Sequence, residues 1–224
     1  MNVAPYIDHT ILKATTVYDD VSKVCREAVE YAFAAVCIPP PFVKAGREIL
    51  KGSDIKVATV IGFPFGYSTA AAKLAEVIKA LEDGADELDI VINISLVKSG
   101  SWNEVESEMK QLIAPIHENT GLVKVIIESG VLSDEEIINC CRIYAKLGAD
   151  FVKTSTGYAE TGATLTAVQL MRANLPSHIR IKASGGIRTY EQAKMYIEAG
   201  ASRLGCSAGV AIIKQQSADQ WADY

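Results

Sequence analysis

The 224-residue sequence has little of what metal and redox sites are made from. It holds three histidines and five cysteines, and Cys25, Cys37, Cys140, Cys141 and Cys206 form no CxxC pair and no Cys/His cluster at metal-ligand spacing. The cysteines read as reduced core thiols, and no metal is implied. A Walker A loop, a GxGxxG after a strand, an HExxH and a GxSxG are absent too, so no nucleotide or other cofactor is expected. The first ten residues, "MNVAPYIDHT", lack the basic and apolar regions of a secretory signal. The longest apolar stretch, "YAFAAVCIPPPFV", is too short to cross a bilayer and carries three prolines. A net charge of -5 offers no broad attraction for nucleic acid or anionic lipid, so an anionic ligand needs a local site. The expectation is a soluble, cytoplasmic protein without nucleic-acid or membrane partners.

What is present is alternation. Four segments, "EYAFAAVCI", "EDGADELDIVIN", "KLGADFVKTS" and "EAGASRLGCS", each read as a helix end passing into a strand. In the last three, Gly84, Gly148 and Gly200 stand where a helix must end in a left-handed residue. Strand-like runs at 5–11, 56–63, 122–129 and 180–185 bring the total to eight. Between them lie amphipathic helices, with Val105, Met109, Leu112 and Ile116 on one face and Ile137, Cys141 and Tyr144 on another. Thr16, Ser101, Ser133 and Thr189 stand at capping-box or related spacing before Asp19, Glu104, Glu136 and Gln192. Eight β runs alternating with helices fit a doubly wound sheet or a (β/α)8 TIM barrel, and the count favours the barrel. No linker divides the chain. The expected organisation is one α/β barrel domain over 1–213 and a short polar tail, "KQQSADQWADY", over 214–224.

Alternate residues of a barrel strand point inward, so polar residues within strands are informative. Lys153 shares a side with Phe151 and Ser155, and Lys182 with Arg180 and Ser184. Asp89 lines up with Glu87, Val91 and Asn93, and Asp8 with Tyr6 and Thr10. If these faces are inward, two lysines and two aspartates converge. The structural reading is a buried ion-pair network, Lys153 with Asp89 and Lys182 with Asp8. The chemical reading starts from the 29-residue separation of the lysines, one βα unit, which sets them side by side on neighbouring strands. One ammonium then lowers the other's pKa toward the range of an amine nucleophile. Such a lysine forms a Schiff base with a carbonyl, Asp89 shuttles protons, and the imine serves as electron sink for carbon–carbon cleavage.

The loops "TSTG", "SGGIR" and "GCSAG" follow strand ends, and their glycines let backbone N–H groups approach an anion. Phosphate in barrels commonly sits after the last two strands, which favours Gly185, Gly186 and Ser207 as its cradle. Cys37 stands at a strand end, facing either site or core. His9 shows no partner pattern, His117 and His178 sit in helix-end and loop contexts, and all three read as structural or solvated. Phe63 and Phe65 in "GFPFG" wall a pocket or pack the core.

The series "DHT" (8–10), "VIGFPFG" (60–66), "ELDIVIN" (87–93), "KTSTG" (153–157), "KASGGIR" (182–188) and "GCSAG" (205–209) resembles the deoxyribose-phosphate aldolase family, nearly end to end. The resemblance implies a metal-free class I aldolase on a (β/α)8 barrel. It would cleave 2-deoxyribose 5-phosphate reversibly to acetaldehyde and glyceraldehyde 3-phosphate, in deoxyribonucleoside catabolism. By motif it makes Lys153 the Schiff-base lysine, Lys182 the second lysine and Asp89 the acid/base acting through water. Asp8 becomes the partner of Lys182 and belongs with Thr10 and Cys37 to the proton relay or substrate pocket, and Gly157, Gly185, Gly186 and Ser207 become phosphate contacts. Small phosphorylated sugars and aldehydes are the partners implied, and a homo-oligomer stays open. Tyr158 stands where some members have a lysine, Ala208 where some have a second serine, and Tyr224 matches a terminal tyrosine of some members. Two other readings keep the barrel. In one, isomerase or decarboxylase chemistry uses Lys153 electrostatically; in the other, a sugar-phosphate binder has lost turnover.

Overall fold

Eight short β-branched runs pair edge to edge until the last meets the first. In the computed structural model, which describes residues 1–215, the strands are β1 (Ile7–Thr10), β2 (Ala35–Cys37), β3 (Lys56–Ile61), β4 (Glu87–Val91), β5 (Leu122–Ile126), β6 (Phe151–Lys153), β7 (Arg180–Ser184) and β8 (Arg203–Cys206). All neighbours are parallel, β8 pairs with β1, and the barrel closes in sequence order. The doubly wound alternative is thereby excluded. Helices α1 (Tyr18–Glu30), α2 (Val43–Ile49), α3 (Ala70–Glu82), α4 (Ile94–Lys98), α5 (Trp102–Glu118), α6 (Asp134–Lys146), α7 (Leu165–Asn174), α8 (Tyr190–Glu198) and α9 (Gly209–Lys214) fill the connections. The expected tail starts on the last residue of α9, and from residue 216 onward, Tyr224 included, it lies outside the described residues.

The strands' outward residues and the helices' apolar faces make the main core. Val36, Ile61, Leu88, Ile90, Val125, Val152, Ile181 and Leu204 are buried against side chains such as Met109, Leu112, Ile116, Ile137 and Cys141. Each large aliphatic side chain buried this way contributes about 1.5–3 kcal/mol. A sheet stabilised from outside leaves its interior available for polar groups. The five cysteines are free and buried.

Gly84, Gly148 and Gly200 have positive φ values of 96°, 75° and 110°, as helix-ending residues require. Ser133 and Thr189 close capping boxes with Glu136 and Gln192. Two expected caps differ. The N-cap of the first helix is Val17, one residue beyond Thr16: Asp20 accepts from the Val17 N–H, while the Thr16 hydroxyl donates to the Lys13 carbonyl. Ser101 holds the N-cap position, but its ψ of 56° departs from the extended backbone a capping side chain needs, and its hydroxyl makes no cap bond.

Candidate active site

Strand register brings the polar inward residues to common heights. Lys153 of β6 is paired with Lys182 of β7, and Asp89 of β4 with Lys124 of β5. Asp89 is the hub. Its Oδ2 accepts from Lys153 Nζ and Lys182 Nζ, each at 2.8 Å, and its Oδ1 accepts from Lys124 Nζ at 2.7 Å. Lys182 also donates to Asp8 at 2.5 Å. Below it, Arg203 binds Asp8 at 2.5 Å and Glu87 at 3.1 and 3.2 Å, and Lys124 reaches Glu87 at 2.6 Å. These side chains are buried, so the network lies inside the barrel and away from bulk water.

The ion pairs expected between Lys153 and Asp89 and between Lys182 and Asp8 are both present, with more besides. Lys124 and Arg203 were not singled out from sequence. Lys124 carries the same signal as Lys153, a lysine on the inward side of an apolar strand, between Leu122 and Ile126. Setting Lys153 aside, three carboxylates (Asp8, Glu87, Asp89) face three cations (Lys124, Lys182, Arg203). Within this set a charged Lys153 is one positive charge in excess, offset in part by the charge of the buried Glu128 outside it, in a region where uncompensated charge is costly.

The pKa directions follow that balance. Burial lowers the Lys153 pKa and the Lys182 charge reinforces it, against the pull of Asp89; the net shift is downward. Burial also opposes the Lys182 ammonium, but Asp8 and Asp89 together outweigh it and raise its pKa. For Asp89, burial alone would favour protonation, and Lys124, Lys153 and Lys182 outweigh it, holding the carboxyl well below its usual range. Burial, then the Asp89 charge, pushes the Cys37 thiol up, so it stays protonated beside the lysines.

Gly205 makes room for the second lysine. A Cβ there would lie 3.0 Å from Lys182 Cε and 2.9 Å from Ser184 Cβ. The Gly205→Ala substitution is expected to cost about 1–3 kcal/mol through overpacking. A thermal melt checks this; an unchanged melting temperature would mean that Lys182 can move aside without loss.

Above the network opens a cavity of about 350 Å³ at the C-terminal ends of the strands, where loop residues after β1, β6, β7 and β8 meet. Of the network only Lys153 lines it. Thr10, Gly157, Gly185, Gly186 and Ser207 all line it as well. Asp8, Asp89 and Lys182 sit beneath the floor, and Cys37 packs with Ala58 and Val60 inside the barrel. Against the chain's net charge of -5, the cavity wall has four basic residues (Lys13, Lys23, Lys153, Arg188) and two acidic ones (Asp20, Glu27). A polar anionic ligand suits it.

Tyr158 donates from its hydroxyl to the Leu12 carbonyl at 2.7 Å and meets Phe63 edge-on, at 5.3 Å between ring centres. It ties the loop after β6 to those after β1 and β3. Phe63 also packs on the Cys37, Ala58 and Val60 cluster, whereas Phe65 is exposed and stacks on Tyr67. His9 does have a partner: buried, it meets Glu27 of α1 at 2.7 Å, and His117 meets Asp150 at 3.0 Å. Both contacts tie elements together, and His9 and Glu27 also line the cavity. Among the described residues no group of three or more His, Cys, Asp or Glu side chains has metal-holding geometry.

Residues 2–215 match the family model described as DeoC/LacD family aldolase. The chain belongs to the DeoC/LacD aldolase family. It is 49% identical over 216 residues to deoxyribose-phosphate aldolase of Caldanaerobacter subterraneus subsp. tengcongensis, covering 96% of this chain and 94% of that one. To the deoxyribose-phosphate aldolase of Thermococcus gammatolerans it is 50% identical, covering 96% of each. The tetrameric deoxyribose phosphate aldolase structure from Aeropyrum pernix superposes with a TM-score of 0.89 at 31% identity, over 95% of this chain and 89% of that one. As an aldolase of this family, the protein is a carbon–carbon lyase. No described helix is long and apolar enough to cross a membrane.

Proposed function

We propose that the protein is a class I aldolase that reversibly cleaves 2-deoxy-D-ribose 5-phosphate to acetaldehyde and D-glyceraldehyde 3-phosphate, in deoxyribonucleoside catabolism in the cytoplasm. The observation that carries this reading is a single buried lysine at the cavity floor. Lys153 opens onto the cavity, its pKa is lowered, and it lies 2.8 Å from a carboxylate shared with a second lysine. Relatives at about half identity that are named for this activity support the substrate.

In this mechanism the neutral Lys153 amine attacks C1 of the open-chain sugar. The carbinolamine loses water and becomes an iminium ion. Removal of the C3 hydroxyl proton breaks the C2–C3 bond, its electron pair passes into the iminium, and glyceraldehyde 3-phosphate leaves an enamine behind. Protonation of the enamine at C2 regenerates the iminium, and water releases acetaldehyde and Lys153. The charge balance lets Asp89 serve both proton steps, by way of water. Its carboxylate is a weak base while the Lys153 nitrogen is cationic, and a stronger one once that nitrogen is the neutral enamine. Lys182 and Lys124 keep Asp89 in place, and they favour its return to the carboxylate once the proton taken from the C3 hydroxyl has passed to C2. Asp8 anchors Lys182, and Cys37 fills the barrel beside it.

Gly157, Gly185, Gly186 and Ser207 form the phosphate end, and Thr10, at the end of β1 beside β8, lines the same cavity. Gly185 has a φ of 88°, and a Cβ on it would lie 2.9 Å from Gly162 Cα and 3.4 Å from Gly157 Cα. The Gly185→Ala substitution is expected to raise KM for 2-deoxyribose 5-phosphate by about 10-fold, the loss of roughly one good charge-assisted hydrogen bond. KM for unphosphorylated 2-deoxyribose should move far less. Equal changes for the two sugars would count against a phosphate site there.

The activity is tested by incubating the purified protein with 2-deoxyribose 5-phosphate and following acetaldehyde with an alcohol dehydrogenase and NADH. The expected result is turnover of the phosphorylated sugar at micromolar to millimolar KM. Folded protein that releases no acetaldehyde would overturn the assignment.

A further inference from the structure

Glu128 stands at the exit of β5 in a conformation that a glutamate seldom adopts. Its φ of 53° and ψ of 59° are left-handed, at a cost of about 1–2 kcal/mol for a residue with a Cβ. It is only 3% exposed. A strained, buried carboxylate is kept where it does something. Both its oxygens accept from one neighbour: the Thr156 N–H donates to Oε1 at 3.3 Å and to Oε2 at 3.2 Å, and the Thr156 hydroxyl donates to Oε2 at 2.5 Å.

Those bonds determine what Thr156 offers to the cavity it lines. A threonine hydroxyl has one proton and two lone pairs. The proton goes to Glu128, and the Tyr158 N–H donates into one lone pair at 3.0 Å. One lone pair is left, so any further partner must be a donor. Thr156 follows Lys153, where the carbonyl carbon reacts, by three residues and precedes Gly157, of the proposed phosphate end, and all three line the cavity. A substrate running from one to the other passes it with its middle carbons.

We infer that Glu128 is a positioning residue that makes Thr156 an acceptor only, so that the cavity wall selects an aldehyde acceptor with a hydroxyl on the carbon beside its carbonyl. The inference rests on the aldolase reading above and adds to it a source of acceptor specificity. A carbonyl, an ether or a phosphate oxygen at that point would meet a lone pair, and a methylene would leave the buried oxygen unmatched.

The test is aldol addition of acetaldehyde to D-glyceraldehyde and to 3-hydroxypropanal, which lacks the neighbouring hydroxyl. Wild-type protein is expected to favour D-glyceraldehyde in kcat/KM. In Glu128→Gln the amide N–H donates to the Thr156 oxygen and frees its hydroxyl to donate into the cavity. The preference should fall about 10-fold, the equivalent of one lost hydrogen bond. Thr156→Val should lower it similarly, Thr156→Ser should retain it, and the Glu128→Gln/Thr156→Val double variant should fall no further than Thr156→Val. A merely structural role would slow both acceptors equally and leave the ratio unchanged. That result in Glu128→Gln would overturn the inference, and if that variant does not fold, an unchanged ratio in Thr156→Val would do so. No adduct from wild-type protein with either acceptor would overturn the aldolase reading itself, whereas adducts with an unchanged ratio overturn only the role of Glu128.

Discussion

Replacing Lys153 by methionine is expected to lower kcat/KM for sugar-phosphate cleavage by at least about 10⁴-fold, the scale on which covalent nucleophiles contribute, while leaving the fold stable. The two halves of that result belong together. If Lys153 were chiefly an ion-pair residue, its loss would break a buried salt bridge and cost about 3–5 kcal/mol. The network argues otherwise. Without Lys153, three carboxylates still face three cations, and Asp89 keeps Lys124 at 2.7 Å and Lys182 at 2.8 Å. Methionine fills most of the volume, so the melting temperature should fall by only a few degrees. Measurable turnover in this variant would favour an electrostatic role for Lys153 and the isomerase or decarboxylase readings. Dead protein with a large loss of stability would favour the structural one.

The second large effect is expected from Lys182→Leu. Here a permanently charged member of the network is lost, and Asp8 and Asp89 each lose a partner, at 2.5 Å and 2.8 Å. The cost should be about 3 kcal/mol or more, visible in a denaturant titration. The pH profile should move as well. The Lys182 ammonium lowers the Lys153 pKa, and Asp89 raises it. Removing Lys182 takes away the lowering influence and leaves Asp89 freer to hold a proton on Lys153, so both changes push the Lys153 pKa upward. The limb on which activity rises with pH should therefore shift to higher pH, and the rate at neutral pH should fall. A profile with its ascending limb in place would show that Lys182 does not set the state of Lys153.

The alternation of runs and the inward side of four strands were legible because both depend on local periodicity. Lys153 opposite Lys182 follows from their 29-residue spacing once β6 and β7 are neighbours, and the register bears that arithmetic out. Lys124 was equally legible in kind, but "LVKVIIES" reads as a buried strand with or without it. Glu128 and Thr156 were not legible. Their contact spans 28 residues and depends on a left-handed exit from β5, which no periodic pattern encodes in a glutamate. The pairing of His9 with Glu27 was hidden for a similar reason, since it depends on how α1 lies against β1. Thr16 shows the limit of short motifs: its spacing to Asp19 has the form of a cap, while Asp20 caps the chain one residue later.

The most direct test of the account is borohydride reduction of the protein in the presence of acetaldehyde, followed by peptide mass spectrometry. The aldolase mechanism predicts a two-carbon reduced adduct on Lys153, and none on the buried Lys124 and Lys182. An active, folded protein with no adduct on Lys153, or with the adduct on another lysine, would contradict it.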